Sequence, residues 1–244
     1  DPKFYRFVGI HRWGGYAEFV TVPSENAFKI PERISFPEAT VIVRHLPTAL
    51  HLLSIKGKLK AGEWVLVMGA TGGLASCCVQ AAKKLGATVI AGAGADDRVD
   101  AAINYFGADF GINYRTKNLA EEVKKITGGR GVDLVADNIG DPDLWSGSME
   151  SLASMGRLVT AGAHAGTTAS IDLKQLYLRR QTIIGSPGCN FSDVESALKM
   201  VEDGSIKAPI IHKIFPLHAA SEAHSLVEEG NFAGKILLDP MMSN

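Results

Sequence analysis

The window from Trp64 to Leu85 constrains the fold of this chain more than any other. Five apolar residues, Trp64-Val65-Leu66-Val67-Met68, run into Gly69-Ala70-Thr71-Gly72-Gly73-Leu74-Ala75. Leu74, Cys78, Ala81 and Leu85 then recur at three- and four-residue steps, so strand, glycine turn and helix start follow one another directly. A tight turn asks for positive φ, a backbone that approaches a pyrophosphate asks for no Cβ, and a first helical turn offers unpaired N–H groups to an anion. Gly69, Gly72 and Gly73 meet the first two demands, and Ala75 stands where a third glycine would let the helix pack close on the strand. An ordinary tight connection is the other reading of such a turn. The flanking strand and helix favour a dinucleotide pocket.

The rest of the chain limits what partners that pocket can serve. With 25 basic and 26 acidic residues in 244, the net charge of −1 gives no field for nucleic acid or an anionic membrane, which points to a small-molecule partner. No apolar run approaches bilayer length and no leader-like segment stands out. A start at Asp1-Pro2 without methionine suggests a fragment or processed product. Cys77, Cys78 and Cys189 have neither the number nor the spacing for a disulfide framework or a cysteine-rich zinc site, so a reducing, cytoplasmic setting is expected. Cys78, on the buried face of the helix after the glycine turn, reads as small core filler.

From residue 64 onward, short apolar runs alternate with helical segments, the pattern of a parallel sheet covered on both faces. Six runs are predicted as strands: Trp64–Met68, Thr88–Gly92, Phe110–Tyr114, Val132–Ala136, Arg157–Ala161 and Thr182–Gly185. Helices are predicted after Gly72, over Asp96–Tyr105, over Asn118–Thr127 and over Asp143–Ser154. The expected class is α/β, with a doubly wound parallel six-stranded sheet. Residues 15–30 read as short strands punctuated by Pro23 and Pro31, without strand partners in the chain. After Ser192-Asp193 come a helix carrying Val194, Ala197, Leu198 and Val201, the run Ile206–Ile211, a helix over Ala219–Glu229 and a closing strand, Gly234–Leu238.

Landmarks then line up along the chain: Gly14-Gly15-Tyr16-Ala17-Glu18-Phe19-Val20, Leu59-Lys60-Ala61-Gly62-Glu63-Trp64-Val65, the glycine turn, Ile112-Asn113-Tyr114-Arg115, Gly128-Gly129-Arg130-Gly131-Val132-Asp133, Gly156-Arg157-Leu158-Val159 and Gly234-Lys235-Ile236. In this order they resemble the medium-chain dehydrogenase/reductase superfamily, which includes zinc-type alcohol dehydrogenases and zinc-free quinone oxidoreductases. The resemblance covers nearly the whole chain but lacks most of the N-terminal catalytic domain. It implies a Rossmann sheet with remnants of a GroES-like catalytic domain. Residues 1–45 would be the tail of that domain, 46–190 the NAD(P)-binding domain, and 191–244 the helices and strand that complete the catalytic domain.

The same resemblance implies site residues. Thr48 matches a threonine that packs near the nicotinamide, and the third zinc ligand of the metal branch, a cysteine four residues earlier, is here Arg44. A guanidinium repels zinc, so no zinc is expected in this chain. Arg44 itself reads equally as a surface charge or a pocket residue, while His45 and His51 read as structural. Gly69, Thr71, Gly72, Gly73 and Leu74 would hold the pyrophosphate and back the nicotinamide. Asn138 and Ile139 would line its pocket, Gly162, Ala163 and His164 would present backbone to the carboxamide, and Lys235 would reach toward the cofactor. At the ribose end, Ala93 replaces the acid of NAD-preferring relatives, and Gly94, Arg98 and Tyr114 lie where NADP users contact the phosphate, which favours NADP while leaving NAD open. Asp96 and Asp97 read as caps of the following helix.

The implied activity is hydride transfer between a nicotinamide and a carbonyl, quinone or activated alkene. The partners are the dinucleotide and a small-molecule substrate, with a homodimer formed along the sixth strand. A zinc-dependent alcohol dehydrogenase and a non-catalytic dinucleotide-binding redox sensor are the alternatives. The catalytic group itself has no assignment from sequence.

Overall fold

The computed structural model describes residues 8–230 and 232–242. Residues 1–7 of the expected N-terminal tail lie outside that range. Ser35 starts the first long element. Its backbone N–H and hydroxyl both donate to the Glu38 carboxylate, at 2.9 and 2.7 Å, and its Oγ accepts from the Glu38 amide at 3.4 Å, a reciprocal cap. Helix α1 (Phe36–Leu50) follows and continues as a π-helical stretch, His51–Lys56. The sequence reading had no helix here, although Ser35-x-x-Glu38 is a helix-start signal. The domain limit expected after residue 45 falls inside α1, so no linker separates the two parts there.

Six parallel strands form the sheet in the order β3-β2-β1-β4-β5-β6. They are β1 (Trp64–Met68), β2 (Thr88–Ala93), β3 (Phe110–Asn113), β4 (Val132–Asp137), β5 (Leu152–Thr160) and β6 (Thr182–Gly185). The intervening helices are α2 (Gly73–Lys84), α3 (Asp96–Asn104), α4 (Leu119–Ile126), α5 (Pro142–Ser151) and α6 (Leu173–Leu178). Side chains alternate across β1: Val65 and Val67 pack with Leu46, Cys77, Ala81 and Leu134 on one face, and Leu66 and Met68 pack with Ile90, Ile112, Val135 and Leu158 on the other. Each fully buried aliphatic side chain contributes about 1.5–3 kcal/mol, which makes the two faces the main source of stability. Cys77 and Cys78 are buried on α2, and burial pushes the Cys78 thiol up to about 12, in keeping with inert core filler.

Two sequence expectations change. Helix α5 stops at Ser151, three residues short of the expected Ser154. Leu152 turns extended, the Arg179 guanidinium takes its carbonyl, and β5 continues with Met155 at φ +63 and a shifted register against β4. Gly131, at φ +87, permits this approach, because a Cβ there would lie 2.6 Å from the Ser151 carbonyl oxygen. Residues 15–30 form no strand. Among the described residues the N-terminal stretch has one isolated bridge, Val8 to Arg12, and one short 3-10 turn, Ser24–Asn26. Without a ladder partner the alternating pattern has nothing to pair with, and Trp13 and Phe19 stay exposed.

Beyond the sheet lie α7 (Phe191–Glu202), β7 (Ile211–Pro216), α8 (Ala220–Glu229) and β8 (Lys235–Asp239), with β7 and β8 paired in parallel as a separate sheet. Helix α7 packs on α1. His51 and Asp193 join the two helices through a buried hydrogen bond of 2.8 Å from Nδ1 to Oδ2.

Candidate functional site

The carboxyl ends of β1, β4, β5 and β6 converge on one cleft of about 510 Å³. Its floor is the glycine turn. Gly69 takes φ +67, and a Cβ on it would press at 3.2 Å on the Ile139 side chain, so the turn closes only with glycine there. Gly72 is the N-cap of α2, extended at φ −66, and the Gly73 amide stands in the first turn of that helix. A Cβ on Gly73 would fall 2.6 Å from Cε1 and Nε2 of His45. The imidazole thus fills the space that a side chain on the turn would need.

His45 comes from α1. Its Nδ1 donates to the Val41 carbonyl at 2.7 Å, which leaves the Nε2 lone pair toward the turn. Burial is the main cause that lowers its pKa, to about 4, partly opposed by the Val41 bond and reinforced by Lys235 and Arg44, so the ring is neutral at pH 7. Arg44 and Thr48 flank it on the cleft wall. Pro47 sits inside α1 without an amide to donate, and the π-helical stretch begins four residues later. Such irregular turns recur at functional sites.

Asn138 follows β4, on a turn fixed by Asp137. That buried carboxylate accepts from the amides of Ile139 and Gly140 at 3.3 and 3.2 Å and from Thr160 Oγ1 at 3.4 Å. Burial raises its pKa, the two amides and Thr160 opposing. Gly162 and His164 follow β5, and Lys235 opens β8, its amide anchored to the Ile210 carbonyl at 2.8 Å. Burial and then Arg44 lower the Lys235 pKa.

Ser186 was not singled out in the sequence. It follows β6 on the cleft wall, its amide donates to the Thr160 carbonyl at 2.9 Å, and its buried Oγ has no hydrogen-bond partner among the described residues. An unpaired buried hydroxyl costs about 1–3 kcal/mol, and a polar group bound in the cleft would relieve it. Backbone amides at a helix start, a glycine floor and this orphan hydroxyl together fit a dinucleotide with a polar head group.

The cleft therefore gathers Thr48, Gly72, Gly73, Leu74, Asn138, Gly162, His164 and Lys235 of the sequence-predicted set. Gly69 and Ile139 support it from beneath, and Thr71 is buried in the turn. Ala163 backs Gly140, where a Cβ would lie 2.7 Å from its Cα. Gly94, Arg98 and Tyr114 stand apart from the cleft wall, at and beyond the ends of β2 and β3, with the Tyr114 ring over Gly94. Arg98 Nη2 donates to the carbonyls of Gly230 and Phe232 at 3.4 and 3.3 Å. Ala93 is only 1% exposed, so that position faces the interior, and the ribose edge begins at Gly94. Asp96 does not cap α3. Ala95 holds that place, and the Asp96 carboxylate instead accepts from Asn113 Nδ2 at 2.7 Å. His45, which the sequence reads as structural, and Arg44, which it reads equally as a surface charge or a pocket residue, both line the cleft. Of the two histidines, only His51 is committed to a helix-to-helix tie.

Comparison with known proteins agrees with this geometry. The zinc-binding dehydrogenase family model matches residues 73–203. The chain is 31% identical to quinone oxidoreductase-like protein 2 of Bos taurus, the match covering 96% of this chain and 69% of the relative. It is 32% identical to a 2-haloacrylate reductase of a Burkholderia species, covering 93% and 71%. A solved NAD-dependent alcohol dehydrogenase superposes with a TM-score of 0.91 at 36% identity, over 97% of this chain and 68% of that one.

The chain belongs to the medium-chain dehydrogenase/reductase superfamily. It is an oxidoreductase of the class that moves a hydride between a nicotinamide cofactor and a carbonyl, quinone or activated alkene. Among the described residues no group of three or more His, Cys, Asp or Glu side chains could hold a metal ion. No helix among the described residues is long and apolar enough to cross a membrane.

Proposed function

We propose that this chain serves an NADP-linked reductase that works without zinc. The observation that carries the reading is a cleft floored by the Gly72-Gly73 helix start and lined by Arg44, which the resemblance sets against a zinc-ligating cysteine. When bound, the nicotinamide supplies the hydride; the protein supplies position, dryness and charge. The Gly72 and Gly73 backbone would hold the pyrophosphate at the α2 N-terminus, with Gly69 and Thr71 shaping the turn. Leu74 would back the ring, and Asn138, Ile139, Gly162, Ala163 and His164 would frame it, with Thr48 on its other side. Lys235 would face the negative charge of the dinucleotide. The neutral His45 offers only an acceptor lone pair, suited to a ribose hydroxyl.

Preference for NADP rests on the ribose edge. No acidic side chain follows β2 at Ala93-Gly94, and the nearby Asp96 carboxylate is engaged by Asn113. Arg98 and Tyr114 remain to meet a 2′-phosphate, and Arg98 needs to release only two weak carbonyl bonds to do so. Association is proposed along β6, whose outer edge is unpaired among the described residues and lies near the exposed Met155, Tyr177 and Leu178. Three free cysteines support a cytoplasmic setting. Residues 191–242 are proposed to complete a catalytic unit with the stretch before α1, around a nucleotide-binding body.

The test is NADPH oxidation with 1,4-benzoquinone as acceptor, on protein whose metal content is measured by elemental analysis. Turnover with substoichiometric zinc is the expected result. Near-stoichiometric zinc that survives dialysis, or turnover that stops when zinc is chelated, would overturn the zinc-free reading.

A further inference from the structure

A second cavity, of about 720 Å³, opens off the cofactor cleft. Arg44, Thr48, Pro187 and Gly188 belong to the walls of both, so the two spaces meet at Arg44. Much of the remaining wall of the second cavity is apolar, with Val8, Ile10, Val43 and Ile55. His51 also faces it, but its Nδ1 is tied to Asp193, and that carboxylate additionally accepts from the Asn190 amide at 2.7 Å. Among the described residues no aspartate or glutamate lines either cavity.

Arg44 forms no ion pair or hydrogen bond among the described residues, and its charged neighbour across the first cleft is another cation, Lys235. A guanidinium is always charged, and its planar fork matches a carboxylate in a bidentate pair. Arg44 and Lys235 face each other at the junction of the two clefts and Lys56 lines the second, while the nearby Asp193 carboxylate is held by His51 and the Asn190 amide, so the cations repel each other until an anion arrives. The Gly72-Gly73 floor already provides for the pyrophosphate, whereas Arg44 also fronts the apolar space beyond it.

We propose that the second cavity is the substrate chamber and that Arg44 selects a short substrate bearing a carboxylate, its hydrocarbon part against Val43, Ile10 and Ile55. This rests on the reading of the first cleft as the cofactor's. Crotonate and crotonamide differ in charge at nearly constant shape, and serve as probes. Their binding is followed by ligand-observed NMR, with and without saturating NADPH, in the wild-type chain and in Arg44→Met. Crotonate is expected to bind at least about tenfold more tightly than crotonamide, a difference lost in Arg44→Met. Equal binding of the two probes by the wild type would overturn the proposal. So would an Arg44→Met variant that loses NADPH affinity but keeps its preference for crotonate, because the guanidinium would then serve the cofactor's phosphates. Absence of NADPH binding to the wild type would instead strike the cofactor reading, and the cofactor-free titration would still decide whether Arg44 holds an anion.

Discussion

At the scale of single residues, the contact between Gly73 and His45 sets the shape of the cofactor floor. Gly72 is the less telling position of the turn: it has an ordinary extended conformation, and a Cβ there meets only the Gly69 carbonyl oxygen, at 3.2 Å. Gly73→Ala should displace the imidazole and weaken NADPH binding at least about tenfold, and adding His45→Ala should restore part of the loss, the ring's own contact with the ribose being gone. A double variant that binds as poorly as the single one would show that the ring is not the obstacle. His45 also makes a pH prediction. Its pKa falls from 6.5 in the unfolded chain to about 4 in the fold, so the unfolded state binds the extra proton as pH falls. Its stabilising contribution is full above about pH 6.5 and is lost toward pH 4, by an amount on the order of 3 kcal/mol at most. Urea unfolding across that range should show a smaller acid loss in His45→Gln than in wild type. The signal for His45 was present in the sequence only as proximity to Thr48. Its role depends on α1 passing over the glycine turn, a tertiary fact that no local pattern encodes.

At the scale of elements, α1, which lines the cleft, is pinned to α7 by His51 and Asp193, which lie 142 positions apart. Asp193→Ala would leave the buried His51 Nδ1–H without its acceptor and remove the carboxylate from the Asn190 cap, at a cost of about 1–3 kcal/mol. Denaturant midpoints should fall accordingly while NADPH affinity changes little. An unchanged midpoint would show that water replaces the carboxylate without loss. The strands were legible because each is a short apolar run ended by glycine or a polar turn, and β1 and β6 have the predicted limits. The α5 to β5 junction was not, because its limit is set by Arg179 reaching back to Leu152 from 27 residues away. The strands expected over 15–30 failed for the opposite reason: the local alternation was right for a strand, but a strand needs a partner.

At the scale of the whole molecule, the sheet order, the glycine turn and the sites at the strand ends make one binding body, with β6 free at its edge. Light scattering at micromolar concentration should give the mass of a dimer, and an exclusively monomeric mass would count against pairing along β6. The ribose edge decides which dinucleotide that body prefers. Arg98→Met should weaken NADPH several-fold and leave NADH nearly unchanged, since only the former carries the 2′-phosphate. The most direct test of the account is a fluorescence titration of the wild-type chain with NADPH and NADH. Saturable binding of both is predicted, with NADPH at least about tenfold tighter. Tighter binding of NADH would contradict the reading of the ribose edge, and no saturable binding of either would contradict the assignment of the cleft itself.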